Sequence, residues 1–416
     1  MRIAYICADP GVPVFGQKGC SIHVQEVIRA LLRQGAEVDL FATRLGGEPA
    51  ADLASVKVHP LPHIPKVDRA VRERVALAAN PDLRLQLELA GSFDLVYERY
   101  SLWSFSAMEY ARSVGIPGLL EVNAPLIEEQ VKHRGLVDRK GAEWVARRAF
   151  RAATSLIAVS AEVKTYLQSF VWDNTSRNSG SDASTSNNAS CDRPIYVIPN
   201  GVNPERFPAN PTPALPPRSS YFTVGFVGTL KPWHGLPILI EAFDQLHQRH
   251  PDTRLLIVGD GPEREKLVTD VNQRKLQSAV HFAGAIAPDQ VPRWLASMQV
   301  AVAPYPAQPD FYFSPLKVYE YMAAGLPIVA SQIGQLTDLI EDGTTGLLCP
   351  AGDSSALAAA LERVRRSPDW GKQLGQAARQ TVMRHYTWDA IVHHLLQLAH
   401  LPASHLSANL LAGATP

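Results

Sequence analysis

The sequence predicts an α/β protein built of two Rossmann-like halves. Three observations carry this reading: short apolar runs alternate with helical patterns, glycine turns close several of the runs, and a Pro-rich stretch divides them into two series. In the first series the runs are Ile3 to Cys7, Glu37 to Phe41, Leu95 to Tyr97, Gly118 to Val122, Ser155 to Val159 and Ile195 to Ile198. In the second they are Thr223 to Val227, Arg254 to Val258, Val280 to Phe282, Val300 to Ala303, Pro327 to Ala330 and Gly346 to Leu348. Each reads as a strand of a parallel sheet covered by helices on both faces.

The boundary falls at Pro208 to Pro217, where fixed φ angles suit a semi-rigid linker. The expected organisation is a first half at 1–203, a linker at 204–217, a second half at 218–385, and a C-terminal helix and tail at 386–416 that pack back on the first half. Within the first half, 172–193 is rich in Ser, Asn, Asp and Thr, cannot bury apolar area, and reads as a disordered insertion. The sequons at Asn174 and Asn188 fall inside it and read as chance matches in a polar stretch. Beyond Asp353 the pattern is helical, with Leu357, Leu361 and Val364 on one stripe, and the tail past His405 frays.

Composition narrows the function. A chain of 416 residues with 46% apolar content has material for two or three cored domains of about 150 residues. Forty basic and forty acidic residues give no overall field, which argues against a nucleic-acid partner. Cys7, Cys20, Cys191 and Cys349 are widely spaced, which argues against a metal site and for free thiols in a reducing compartment. The N-terminus enters an apolar run too short for a signal peptide, and no run approaches the roughly 18 residues of a membrane span. The expected location is cytoplasmic, at most peripheral to the inner face of the membrane.

Several loops could do chemistry. The loop Asp9 to His23 follows the first strand and opens a helix, Ile22 to Arg33. Gly16 and Gly19 let backbone N–H groups approach a ligand there, and His23 stands in the first turn. The alternative is a plain turn capped by Ser21 with a structural His23. Glu121 and Asn123 lie at the C-terminal end of a strand, where open α/β sheets bind ligands, although Asn123 would also suit the turn before Pro125. Between Gln130 and Arg151, Lys132, Arg134, Arg139, Lys140, Arg147, Arg148 and Arg151 interleave with apolar residues. That segment, Lys132 to Arg151 above all, suits an anionic membrane surface or a phosphorylated acceptor, and a solvated helix face is the plainer reading.

In the second half, Gly228 to Gly235 is a glycine turn followed by Lys231 and His234, a setting in which Lys231 can neutralise a diphosphate. Trp233 reads as loop packing. Gly259 and Gly261 close another strand, and Arg264 stands where a dinucleotide fingerprint needs its third Gly, which argues against NAD. From Phe313 to Gly325 comes a loop, a short helix and a Gly stop. Glu320 can accept two hydrogen bonds from a ribose diol while the N–H groups of Ser314, Leu316 and Lys317 point at phosphate. A surface Glu beside Lys317 is the alternative.

Together the Gly-x-x-Gly-Cys-Ser-Ile-His loop, Val197-Ile-Pro-Asn-Gly-Val, Val227 to Gly235, Val258 to Arg264, Phe313 to Gly325 and Thr387-Trp388 resemble family 4 of the retaining glycosyltransferases, with the GT-B architecture. The resemblance covers nearly the whole chain. It implies transfer of a hexose from a UDP- or GDP-linked sugar, held by the C-terminal half, to an acceptor hydroxyl held by the N-terminal half, with retention and without metal or cofactor. By position it makes Glu320 the ribose carboxylate, Lys231 the stabiliser of the leaving diphosphate, and Ile286 a backbone contact to the base. Gly228, Thr229, His234, Gly259, Gly261, Tyr312, Ser314, Leu316 and Lys317 complete the donor side; Gly16, Gly19, His23, Glu121 and Asn123 form the acceptor side, with Asn123 grouped with the catalytic residues. Four positions depart from the pattern: Tyr312 replaces the first Glu of the family's Glu-x7-Glu motif, Thr229 and His234 replace its Arg and Lys, and Asn123 stands where several members place a His. These departures motivate an alternative, a nucleotide-sugar-binding subunit without catalysis; a nucleotide-sugar 2-epimerase shares the architecture and is a further one.

Overall fold

The computed structural model describes residues 1–171, 193–216 and 221–401. The insertion expected at 172–193, apart from Arg193, and the frayed tail lie outside the described residues, as do both sequons and Cys191. The described chain forms two compact units. The first comprises Met1–Pro199, Tyr312–Ser314 and the last helix, and the second comprises Asn200–Phe311 and Pro315–Thr387.

The first unit holds a seven-stranded sheet, in chain order β1 (Arg2–Cys7), β2 (Glu37–Ala42), β3 (Lys57–Pro60), β4 (Leu95–Arg99), β5 (Gly118–Val122), β6 (Ser155–Ala158) and β7 (Ile195–Val197). In space the order is β3-β2-β1-β4-β5-β6-β7, and every pairing is parallel. Helices cover both faces of the sheet, and the central strand β1 buries Ile3 to Cys7 completely. The sequence reading lacks β3. Its residues, Lys-Val-His-Pro, carry no apolar run, because an edge strand has one paired side and is only partly buried.

The second unit has six parallel strands: β8 (Phe222–Val227), β9 (Thr253–Val258), β10 (Val280–Gly284), β11 (Val300–Ala303), β12 (Ile328–Gln332) and β13 (Leu347–Pro350), ordered β10-β9-β8-β11-β12-β13. Strand order therefore reverses between β1 and β4 in one sheet and between β8 and β11 in the other. Those two switch points are where a doubly wound sheet opens a crevice at the C-terminal strand ends.

The Pro-rich segment is not a free spacer. Ala214 N donates to Arg293 O at 2.8 Å, Leu215 N to Ser297 Oγ at 3.0 Å, and Arg293 Nε to Thr212 O at 3.3 Å. Fixed φ angles lower the entropy cost of laying the segment on the second unit. The last helix, Trp388–Leu398, packs within the first unit against the helix Gly19–Arg33, with Arg33 Nε 2.8 Å from Asp389 Oδ1.

The helix Arg139–Ala152 explains the basic and apolar interleaving. Its apolar side, Ala142, Val145, Ala146, Ala149 and Phe150, is buried in the protein's own core. On its outer side, Arg139 pairs with Glu128 and Glu143, and Arg148 with Glu109. The outer face is polar apart from Trp144, which is 50% exposed. Among the described residues no helix is long and apolar enough to cross a membrane.

Candidate functional site

In the second unit, the loop after β8 folds across the switch point as the 3-10 turn Pro232–His234, leading into the helix Leu236–Arg249. The glycines of this loop and of the loop after β9 have backbone duties. Gly228 N donates to Val258 O at 2.9 Å, Gly259 N to Gly284 O at 2.9 Å, and Gly261 N to Asp260 Oδ1 at 2.7 Å, so these N–H groups are committed within the protein. Gly259 has φ +132°, and a Cβ there would sit 2.0 Å from Gly228 O. The two turns interlock, which is a sufficient reason for glycine. Thr229 O accepts from His234 Nδ1 at 2.6 Å. A carbonyl only accepts, so Nδ1 carries the proton. Burial, then Lys317 and Lys231, hold the imidazole down to about 3. His234 is therefore a neutral brace of the loop and not the basic group its position suggests.

The buried cation at this crevice is Lys317. The helix Leu316–Ala323 follows β11 and turns Lys317 and Glu320 to one side, as i,i+3 spacing requires, while Tyr319 and Tyr321 are buried. Tyr321 OH accepts from Val227 N at 2.8 Å and donates to Val227 O at 3.2 Å, which fastens this helix to the end of β8. Lys317 Nζ lies 4.3 Å from the Phe226 ring centre and 5.3 Å from that of Tyr305, without a hydrogen-bond partner among the described residues. A Cβ at Gly228 would be 3.2 Å from that nitrogen. Burial pulls the ammonium down to about 7 against the raising effect of Glu320. Lys231 Nζ stands 5.5 Å from the Trp233 ring centre, which supports the loop-packing reading of Trp233.

Glu320 Oε1 pairs with Arg206 Nη1 at 3.2 Å, and Arg206 Nη2 donates to Pro288 O at 2.9 Å. Sequence reasoning passed over Arg206, which is 114 residues from its partner. The same arginine ties the Glu320 helix to the loop from Gly284 to Pro288 that carries the half-buried Ile286.

The first unit treats its candidates differently. Glu121 and His23 are 5% and 2% exposed, with His23 Nε2 2.9 Å from Glu121 Oε1. Arg99 Nη1, a donor, meets His23 Nδ1 at 3.4 Å and also Asn123 Oδ1. Burial would push the Glu121 carboxyl up, but His23, Arg99 and Tyr97 outweigh it and hold the group below the usual range. His23 further packs edge-on against Trp388, ring centres 5.0 Å apart. Both residues belong to one buried cluster with Arg99, and half-buried Asn123 is its member nearest solvent. The helix behind Gly16 and Gly19 begins at Gly19, with Lys18 at the N-cap position, so Ser21 is inside the helix instead of capping it. Gly16 is held by its own N–H to Pro13 O and by Gln25 Nε2 to its carbonyl, both at 2.9 Å. Tyr312 groups with this unit: its hydroxyl donates to Glu129 Oε2 at 3.3 Å and its carbonyl accepts from Ser160 Oγ at 3.1 Å. Among the described residues no three His, Cys, Asp or Glu side chains cluster to hold a metal.

The family described as Glycosyltransferase Family 4 matches residues 18–175, and the one described as Glycosyl transferases group 1 matches residues 221–367. The chain belongs to glycosyltransferase family 4. Similar relatives of this family 4 chain include the glycogen synthase of Mycobacterium tuberculosis, 31% identical over 47% of this chain and 46% of that protein. A phosphatidyl-myo-inositol mannosyltransferase of Mycobacterium leprae is 33% identical over 48% of this chain and 52% of its own. These two alignments thus span about half the length of each relative. The alpha-maltose-1-phosphate synthase of Mycolicibacterium smegmatis is 26% identical over 96% of this chain and 98% of its own. Among solved structures, a sucrose-phosphate synthase from Thermosynechococcus elongatus superposes with TM-score 0.69 at 22% identity, over 96% of this chain and 98% of that one. An Anabaena protein, HepE, solved with UDP and glucose, gives 0.66 at 19% identity over 95% and 98%. These likenesses show that the family 4 chain has the GT-B fold.

Proposed function

We propose that the chain is a retaining, metal-independent hexosyltransferase that moves a sugar from a UDP- or GDP-linked donor, bound by the second unit, to an acceptor hydroxyl, bound by the first. The observation that carries this is Lys317: a desolvated ammonium without a hydrogen-bond partner among the described residues, set beside Gly228 at the β8/β11 switch point. A buried cation of that kind is costly unless an anion joins it, and a diphosphate is the anion that family membership supplies. Lys231 adds a second positive charge on the same loop, and Glu320, oriented by Arg206, accepts from the ribose diol. In the reaction the C1–O bond to the diphosphate breaks and the acceptor oxygen bonds C1 from the same face, its proton passing to a phosphate oxygen. Negative charge grows on the diphosphate as that bond lengthens, so cations placed there stabilise the transition state more than the ground state.

Calorimetry with UDP, GDP, ADP and their sugars tests the reading. One nucleotide series should bind, and Glu320→Gln should weaken it by roughly tenfold, the cost of a lost charge-assisted hydrogen bond. Binding of none would overturn the assignment, and binding without transfer or hydrolysis would favour the non-catalytic subunit. Donor affinity should also depend on pH. Lys317 titrates near 7 in the free protein. A bound diphosphate raises that value, so affinity should be level below about pH 7 and fall above it, with proton uptake on binding between pH 7 and 8. An affinity independent of pH in that window would remove Lys317 from the phosphate site.

A further inference from the structure

A cavity of about 200 Å³ lies wholly in the first unit and is not formed by any of the acceptor residues derived above. It sits at the β1/β4 switch point: Ala8 to Gly11 enter it from the end of β1, and Ser101 to Ser104 from the end of β4. That is the crevice where a doubly wound sheet takes its ligand. One wall is apolar, with Leu61, Leu83, Leu102 and Leu136. The other is the helix Arg69–Ala78, whose Arg69, Arg72, Glu73 and Ala76, at i, i+3, i+4 and i+7, border the cavity, both arginines being exposed to solvent.

The charges on this wall are not equivalent. Glu73 is committed, its two oxygens accepting from Val137 N and Asp138 N at 2.9 Å. Asp9 accepts from Gly11 N at 2.7 Å, and Arg134 is paired with Glu129 at 2.9 Å. Arg69 and Arg72 carry no hydrogen bond or ion pair to any described residue. Two guanidinium groups one helical turn apart, opposite an aliphatic wall, form a fork suited to a tetrahedral dianion on an apolar body.

We infer that this cavity seats the acceptor and selects one carrying a phosphate ester, held by Arg69 and Arg72, next to an apolar body. The inference rests on the transferase reading and names its acceptor class. Neither a soluble phosphorylated metabolite nor an anionic lipid headgroup is favoured by the chemistry alone, so the test separates them.

Binding of phenyl phosphate, inorganic phosphate and phenol to the whole chain is measured by calorimetry, alongside UDP and GDP. Phenyl phosphate should bind more tightly than either fragment. Arg69→Gln with Arg72→Gln should weaken it by at least about tenfold, the loss expected of charge-assisted contacts, and Arg74→Gln, on the same helix outside the cavity, should leave it unchanged. Nucleotide binding should be the same in all three proteins, and matching melting curves by circular dichroism show that the variants' first unit is folded. Phenol binding as tightly as phenyl phosphate, equal phenyl phosphate affinity in the double variant, or no binding at all would each overturn the inference. If nucleotides also fail to bind the wild type, it is the donor reading that has failed. Sedimentation with phosphatidate but not phosphatidylcholine vesicles, lost in the double variant, would assign the phosphate to a lipid; phenyl phosphate binding without sedimentation would assign it to a soluble ester. Either result supports the site.

Discussion

Lys317→Met is expected to lower turnover by about a hundredfold or more while making the unliganded protein more stable. The two effects share a cause. In the folded chain the ammonium is buried beside Phe226 and Tyr305, and its titration falls from 10.5 to about 7. A lysine with a depressed value binds fewer protons folded than unfolded between those limits, so its cost is full below about pH 7 and fades as pH rises towards 10.5. Methionine keeps the length and removes the charge. The stabilisation should be on the order of 1–3 kcal/mol near neutrality and shrink at alkaline pH. Melting curves at pH 7 and pH 9.5 check this, with turnover measured on the same samples. A variant that is less stable than the wild type at pH 7, or equally active, would show that the ammonium is neither strained nor used.

Gly235→Ala is expected to unfold the second unit or cost more than about 4 kcal/mol, well beyond an ordinary substitution. Gly235 has φ +69°, and a Cβ there would lie 1.6 Å from the carbonyl oxygen of Pro304, a backbone atom that cannot step aside. The residue sits where the loop after β8 meets the chain leaving β11, so the clash falls on the crevice itself. Gly343→Ala is the comparison: φ is +78° and no heavy atom lies within 4 Å, leaving only the left-handed penalty of about 1–2 kcal/mol. Chemical denaturation of both variants measures the difference. Similar costs at the two positions would mean that packing between these turns is looser than the structure describes.

The strands and the motif positions were legible because they rest on short-range pattern. A strand covered by helices on both faces is mainly apolar, and the twelve runs named from the sequence appear as strands in the structure. β3 escaped because an edge strand needs no such run. The site was legible only in part. Glycine marks a backbone that needs room, but spacing does not say whether a ligand or another turn fills it. Here Gly228 O fills the space at Gly259, and Leu230 O the space at Gly261. Likewise His234 matches a basic position in sequence and is neutral in place, because desolvation and two nearby lysines oppose its charge.

From its sequence alone the chain was determined to be two doubly wound α/β units of glycosyltransferase family 4, with Glu320 and the loop after β8 marked for the donor. Periodicity and motif are properties of neighbours along the chain, and they survive translation into one dimension. Only the tertiary structure decided which groups are spent and which are left over: that Glu121 and His23 are buried as a close pair, that Arg206 orients Glu320 from 114 residues away, and that Lys317 keeps a buried charge. Burial and long-range pairing set those outcomes, because the energy of a charge depends on what surrounds it in space and not on what adjoins it in sequence.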